Sequence, residues 1–112
     1  MIDDTQLESL FDMLGKDIIN AIRLEFIEDS AEKMTRLQKM WADKNYHELE
    51  EVSHSLKSAS LNMALQGFAK RCQQIESAAA QHNDTVIQAN VDGLSTLYQD
   101  SLNALEAYFL AD

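Results

Sequence analysis

The chain contains no proline, and its three glycines, Gly15, Gly67 and Gly93, stand far apart. Proline breaks helices because it lacks the N–H donor and clashes with the preceding turn, so a chain without it has few internal stops. The residues that fill the remainder, chiefly Leu, Ala, Glu, Lys, Gln and Met, lose little side-chain freedom on entering a helix. An all-α fold follows as the expectation before any pattern is considered. At 112 residues the expectation is one domain, spanning 1–112, with a single core.

Charge narrows the partners. Nineteen acidic residues against nine Lys and Arg give a formal charge of -10. Such a chain is repelled by phosphate backbones and anionic bilayers, so neither nucleic acid nor membrane insertion is expected. The start of the chain lacks a basic segment followed by an apolar one, no apolar run reaches membrane-spanning length, and the lone Cys72 has no internal disulfide partner. These features together predict a cytoplasmic protein, with Cys72 as a small buried apolar residue.

Hydrophobic spacing predicts five helices. The first covers about residues 5–14, with Leu7, Leu10, Phe11 and Leu14 on one stripe and Gly15 as its stop. The second runs from Lys16 toward Trp41, and its apolar face shifts near Asp29–Ser30, where the helix could bend. Asn45 caps the third, with Glu48 placed to reach back in a capping box. Its seam is Leu49, Val52, Leu56, Ala59 and Met63. The fourth carries Leu65, Phe68, Cys72, Ile75 and Ala79. A fifth follows, with Asp84 as its N-cap, and carries Ile87, Val91, Leu94, Tyr98, Leu105 and Tyr108 or Phe109. The simplest packing is an antiparallel four-helix bundle of helices two to five, with the additional short N-terminal helix across one end.

On the helical wheel His54 lies almost opposite the seam of its own helix, which predicts a solvent-facing ring. Lys57 and Ser58, three and four residues on, fall beside it. An exposed imidazole with a pKa of roughly 6.5 is largely neutral at cellular pH and keeps a lone pair for attack on phosphorus. Lys57 is a cation able to neutralise phosphoryl oxygens, Ser58 is small enough to leave the ring open, and Leu61 is apolar on the outward face.

The segment His54-Ser-Leu-Lys57-Ser58, then Leu61-Asn62-Met63, then Cys72-Gln-Gln-Ile75-Glu76, resembles the signature of histidine-containing phosphotransfer (Hpt) domains. The similarity is in step over residues 54–76, and the flanking helices resemble the family's architecture over nearly the whole chain. The resemblance implies a stand-alone phosphorelay intermediate and phosphocarrier in two-component signalling, not a catalyst in its own right. It implies that His54 accepts phosphoryl from the aspartyl-phosphate of a receiver domain in a hybrid sensor kinase and passes it to the receiver of a response regulator. Lys57 would stabilise the phosphoryl group, Ser58 would give access, and Glu76 would orient the ring. Leu61 and Phe11 would help dock the partner. No cofactor is implied on this chain; Mg²⁺ belongs to the receiver.

Two positions depart from the family pattern. Ala64 stands where a turn glycine is usual, at a cost of about 1 kcal/mol if the turn is left-handed. Gly67 stands where many relatives carry a basic side chain. Two rival functions can be framed from the residues. Glu51-Val-Ser-His54 spells the Glu-x-x-His pair of di-iron bundles, but neither other histidine has a glutamate three residues before it, so no metal site is expected. A non-phosphorylated helical adaptor is the alternative reading.

Overall fold

The computed structural model describes residues 2–110; residues 1, 111 and 112, the ends of the expected domain, lie outside it. Six helices make up its regular structure: α1 (Asp4–Leu14), α2 (Lys16–Ala42), α3 (Tyr46–Asn62), α4 (Gln66–Ala80), α5 (Asp84–Val91) and α6 (Leu94–Leu110). They form a helical bundle 43 Å long and about 20 Å across. The 27-residue α2 sets the length, since 1.5 Å of rise per residue carries it about 40 Å.

Side-chain caps and left-handed residues set the boundaries. Asp3 opens α1 by accepting from the Gln6 N–H, and Gly15, at φ +86°, closes it. Asn45 accepts from the Glu48 N–H at 3.2 Å and opens α3 as expected. The second half of the capping box does not form: the Asn45 N–H donates to the Met40 carbonyl at 2.9 Å, and the Glu48 carboxylate pairs with Arg36 on α2 at 3.0 Å. At α5 the cap is Asn83, not Asp84; Asp84 is the first helical residue and accepts from the Tyr46 hydroxyl.

One expectation about continuity is corrected. The predicted fifth helix is two helices, α5 and α6, separated at Asp92 (ψ 124°) and Gly93 (φ +76°). Its apolar seam keeps helical spacing through the break, and Ile87, Val91, Leu94, Leu105 and Phe109 are all buried, so periodicity carried no mark of the interruption. In α2 no interruption occurs at Asp29–Ser30. Ser30 is itself buried and continues the stripe from Phe26 to Met34 and Leu37, its hydroxyl 2.6 Å from that of Tyr98.

One core cluster runs through the bundle and joins Leu7, Ile19, Leu37, Leu49, Leu56, Phe68, Cys72, Ile75, Ile87 and Leu105. Burial raises the Cys72 thiol to about 12, so it remains a thiol in the core. α3 and α4 form the most extensive helix pair. α1 lies against the end of this pair: the Asp3 N–H donates to the Ala64 carbonyl at 2.9 Å, and the Gln6 side-chain amide donates to the Leu61 carbonyl at 2.7 Å. At its other end, α1 meets the last turns of α6.

The α3–α4 turn is left-handed at Ala64, φ +62°, with Met63, Ala64 and Leu65 all buried. Ala64→Gly relieves roughly 1–2 kcal/mol of backbone strain. It removes a buried methyl worth about 0.8 kcal/mol and adds unfolded-state entropy worth about 0.4–1 kcal/mol. The expected net change is therefore within about 0.8 kcal/mol of zero, read as a urea midpoint that moves by less than about 1 M. A gain well above 1 kcal/mol would show that the methyl contributes nothing to the turn.

Candidate functional site

α3 buries Leu49, Val52, Ser53, Leu56 and Ser60 against the bundle, which turns the intervening His54 outward. Its side chain is 58% exposed. Across the α3–α4 interface, Glu76 stands at the edge of the α4 face that buries Cys72, Ile75 and Ala79. From there it reaches back to α3. One carboxylate oxygen, Oε2, lies 2.8 Å from His54 Nδ1, and the other, Oε1, accepts from Lys57 Nζ at 2.9 Å. Lys57 and Glu76 are only 18% and 20% exposed, so this carboxylate is largely covered while the ring it holds is not.

That arrangement assigns the ring nitrogens. A carboxylate only accepts, so Nδ1 carries the proton and donates to Glu76. Nε2 is then the nitrogen without a partner among the described residues, on a ring whose side chain is exposed. Burial pushes the Glu76 carboxyl upward, but hydrogen bonds from Lys57 and His54, with their charges, outweigh it and hold the group below its ordinary range. A depressed folded-state pKa contributes stability above the ordinary carboxylate range, and the contribution fades as pH falls through the depressed value. The Glu76 side-chain carbon should therefore titrate by NMR with a midpoint below that of an ordinary glutamate, and Lys57→Met should raise that midpoint. An unchanged midpoint in Lys57→Met would show that the ammonium does not set the carboxyl's affinity for protons.

The other two histidines are placed differently. His47 is 82% exposed and its Nε2 is the atom that meets Glu51, at 3.2 Å. His82 is in the left-handed turn before α5 and stacks on the Tyr46 ring with centroids 4.2 Å apart. Glu51 thus serves His47, and among the described residues no group of three or more His, Cys, Asp or Glu side chains is placed to hold a metal ion.

The structure therefore brings His54, Lys57 and Glu76 into one hydrogen-bonded unit. Ser58 is exposed on the next turn, and Leu61 is exposed beyond it, with its carbonyl taken by Gln6. Phe11 is not gathered with them. Its ring is partly buried, stacked on Tyr108 at 5.3 Å and edge-on to Phe109 at 5.1 Å, so it fastens α1 to α6. The direct ion pair of Lys57 with Glu76 was not foreseen from the sequence; the only signal was the position of Glu76 at the border of an apolar stripe. Beside the unit, an open groove of about 450 Å³ separates α3 from α4, lined by Lys57, Leu61, Gly67 and Lys70 among others. Lys70 carried no motif signal of its own.

No helix among the described residues is long and apolar enough to cross a membrane. No curated protein and no solved structure matches the chain. The Hpt domain family model matches residues 21–108, which cover α3 and α4 entirely and with them His54, Lys57 and Glu76. An outward imidazole on a helical bundle, within a match of that extent, leads to one assignment: the chain belongs to the Hpt domain family, whose members are phosphocarriers, not catalysts, and carry out histidine phosphotransfer with receiver domains in two-component signalling.

Proposed function

We propose that His54 is the phosphorylated residue, accepting the group from a receiver-domain aspartyl-phosphate and returning it to the aspartate of another receiver. The observation that carries this reading is an exposed ring whose Nε2 has no partner among the described residues and whose Nδ1 is held 2.8 Å from a largely buried carboxylate. In the forward step the Nε2 lone pair forms the N–P bond while the P–O bond to the aspartate breaks, and the aspartate leaves as carboxylate. The Nδ1 proton stays in place. The ring is then formally cationic, and the adjacent Glu76 carboxylate balances it. In the reverse step the protonated Nδ1 lets the ring depart as a neutral imidazole, a far better leaving group than imidazolate. Glu76 therefore supports both directions by keeping one proton where it is.

Lys57 is a positioning and charge-balancing group in this scheme. Its ammonium begins on Glu76, one helical turn from the ring, and shifting toward Nε2 would bring it to the incoming phosphoryl oxygens. Mg²⁺ and the groups that activate aspartate come from the receiver. The test is incubation of the full chain with a panel of phosphorylated receiver domains, followed by site mapping. Acid-labile, base-stable phosphate on His54 is the expected result. Its absence with every receiver would favour the adaptor alternative, a helical module that docks without being phosphorylated.

A further inference from the structure

Charge is distributed unevenly around His54. The chain carries -10 overall, yet no acidic residue occurs between Glu51 and Glu76, while Lys57, Lys70 and Arg71 do. This stretch comprises the second half of α3, the turn and the first half of α4. Arg71 is directed to the far side, where its guanidinium donates to the Asn90 and Asp92 carbonyls at 3.4 and 3.3 Å. Lys57 is committed to Glu76. Lys70 is exposed, makes no hydrogen bond or ion pair among the described residues, and lines the α3–α4 groove with Lys57, Leu61, Gly67 and Gln73. Two acids are bonded to the groove's lining: Glu76 to Lys57, and Asp3, whose carboxylate accepts from the Gln6 N–H and the Gln66 amide.

A second groove, of about 300 Å³, opens on the opposite flank of α3, against α2. Its walls include Glu25 and Asp29 beside Ile22, Phe26 and Met63, and Asp29 is paired with Lys33 at 2.7 Å. With the ion pairs set aside, the groove on the α2 flank of α3 keeps the charge of Glu25 and the groove on the α4 flank that of Lys70. An aspartyl-phosphate brings a phosphoryl dianion, and a face that carries net negative charge is repelled by the α2 side and attracted to the α4 side.

We infer that the α3–α4 groove is the seat of the anionic rim of the phosphorylated receiver domain, and that Lys70 is the cation that meets it. This rests on His54 being the phosphoacceptor. Lys70 acts on encounter and orientation rather than on the phosphorus itself, so it belongs to the docking surface and not to the reacting groups. Leu61 and the space above Gly67 receive the apolar part of the same surface.

The experiment uses the receiver domain that labels His54 fastest in the panel, charged with acetyl phosphate and Mg²⁺, in single-turnover transfer over a range of receiver concentrations. Lys70→Ala should raise the half-saturating receiver concentration about threefold to fivefold, and Lys70→Glu about tenfold or more, with the maximal rate within about twofold of the parent. The salt dependence of the second-order rate should also weaken in both variants. Lys39 on α2, exposed and likewise without an ion pair among the described residues, is the control, and Lys39→Glu should leave half-saturation unchanged. Both Lys70 variants matching the parent would overturn the inference while labelling of His54 still stood. Equal losses in Lys39→Glu and Lys70→Glu would overturn it too, because only total charge would then matter. If no receiver labels the parent chain, the phosphoacceptor reading falls, and this inference with it.

Discussion

His54→Gln should abolish acid-labile phosphate on the protein, whereas His47→Gln and His82→Gln should each be labelled at close to the parental rate. The expectation follows from the three environments. Gln at position 54 keeps a donor for Glu76 and a similar length, so the Glu76–Lys57 pair at 2.9 Å has reason to stay, and only the nucleophilic nitrogen is lost. At His47 the exposed Nε2 already faces Glu51, and no lysine is paired with that carboxylate. At His82 the ring is stacked on Tyr46 in a left-handed turn, which fixes its faces and leaves no carboxylate on Nδ1. Thermal unfolding of His54→Gln should stay within about 0.5 kcal/mol of the parent, because the side chain is exposed. Residual labelling of His54→Gln above background, mapped to either other histidine, would remove His54 from its assigned role.

Phe68→Ala should be the most destabilising single truncation, costing about 3–5 kcal/mol and lowering the thermal midpoint by roughly 12–20 °C. Phe68 is the largest of the fully buried side chains. It sits in the first turn of α4 and packs against the Tyr98 ring of α6, with centroids 5.3 Å apart. Removing it leaves a cavity that the rigid neighbouring helices fill only in part. The consequence reaches the site, because α4 carries Glu76 two turns further on. If the α4 phase loosens, the 2.8 Å contact to His54 loosens with it, and labelling should slow beyond what the unfolded fraction explains. Chemical denaturation with far-UV circular dichroism gives the first quantity, and transfer well below the midpoint gives the second. A loss under about 1 kcal/mol would show that the core collapses around the gap.

Much of this was legible in the letters. Helix content followed from the absence of proline, and the helix 3 seam placed His54 outside because 100° per residue is a property of one helix alone. The same arithmetic put Cys72 and Ile75 inside. Where the reading went astray, the cause was chemical identity overruled by position. Ser30, Ser53, Ser60 and Ser101 are buried, yet a search for apolar residues passes over them. With Ser30 counted, the buried stripe of α2 runs on through residues 26, 30, 34 and 37, and the shift of face read from apolar residues alone disappears. The α5–α6 break escaped because the seam keeps its spacing across Asp92 and Gly93, and only the backbone angles reveal the interruption.

The Glu48 carboxylate shows the same limit from another side. Locally it fits a capping box, but the Asn45 N–H is taken by the Met40 carbonyl, and Arg36, twelve residues away in sequence, is 3.0 Å away in space and takes the carboxylate.

The sequence by itself determined which residues form helices, where most of those helices end, and that the imidazole of His54 faces water. These are consequences of the chain's own dihedral preferences and periodicity, which need no neighbour. Only the tertiary structure decided that Glu76 grips both His54 and Lys57, that Phe11 is used to fasten α1 to α6, and that a basic groove lies on one flank of α3 and an acidic one on the other. Each of those depends on the rotation of one helix against the next, and that angle is set by how whole side-chain surfaces interlock, which no single segment encodes.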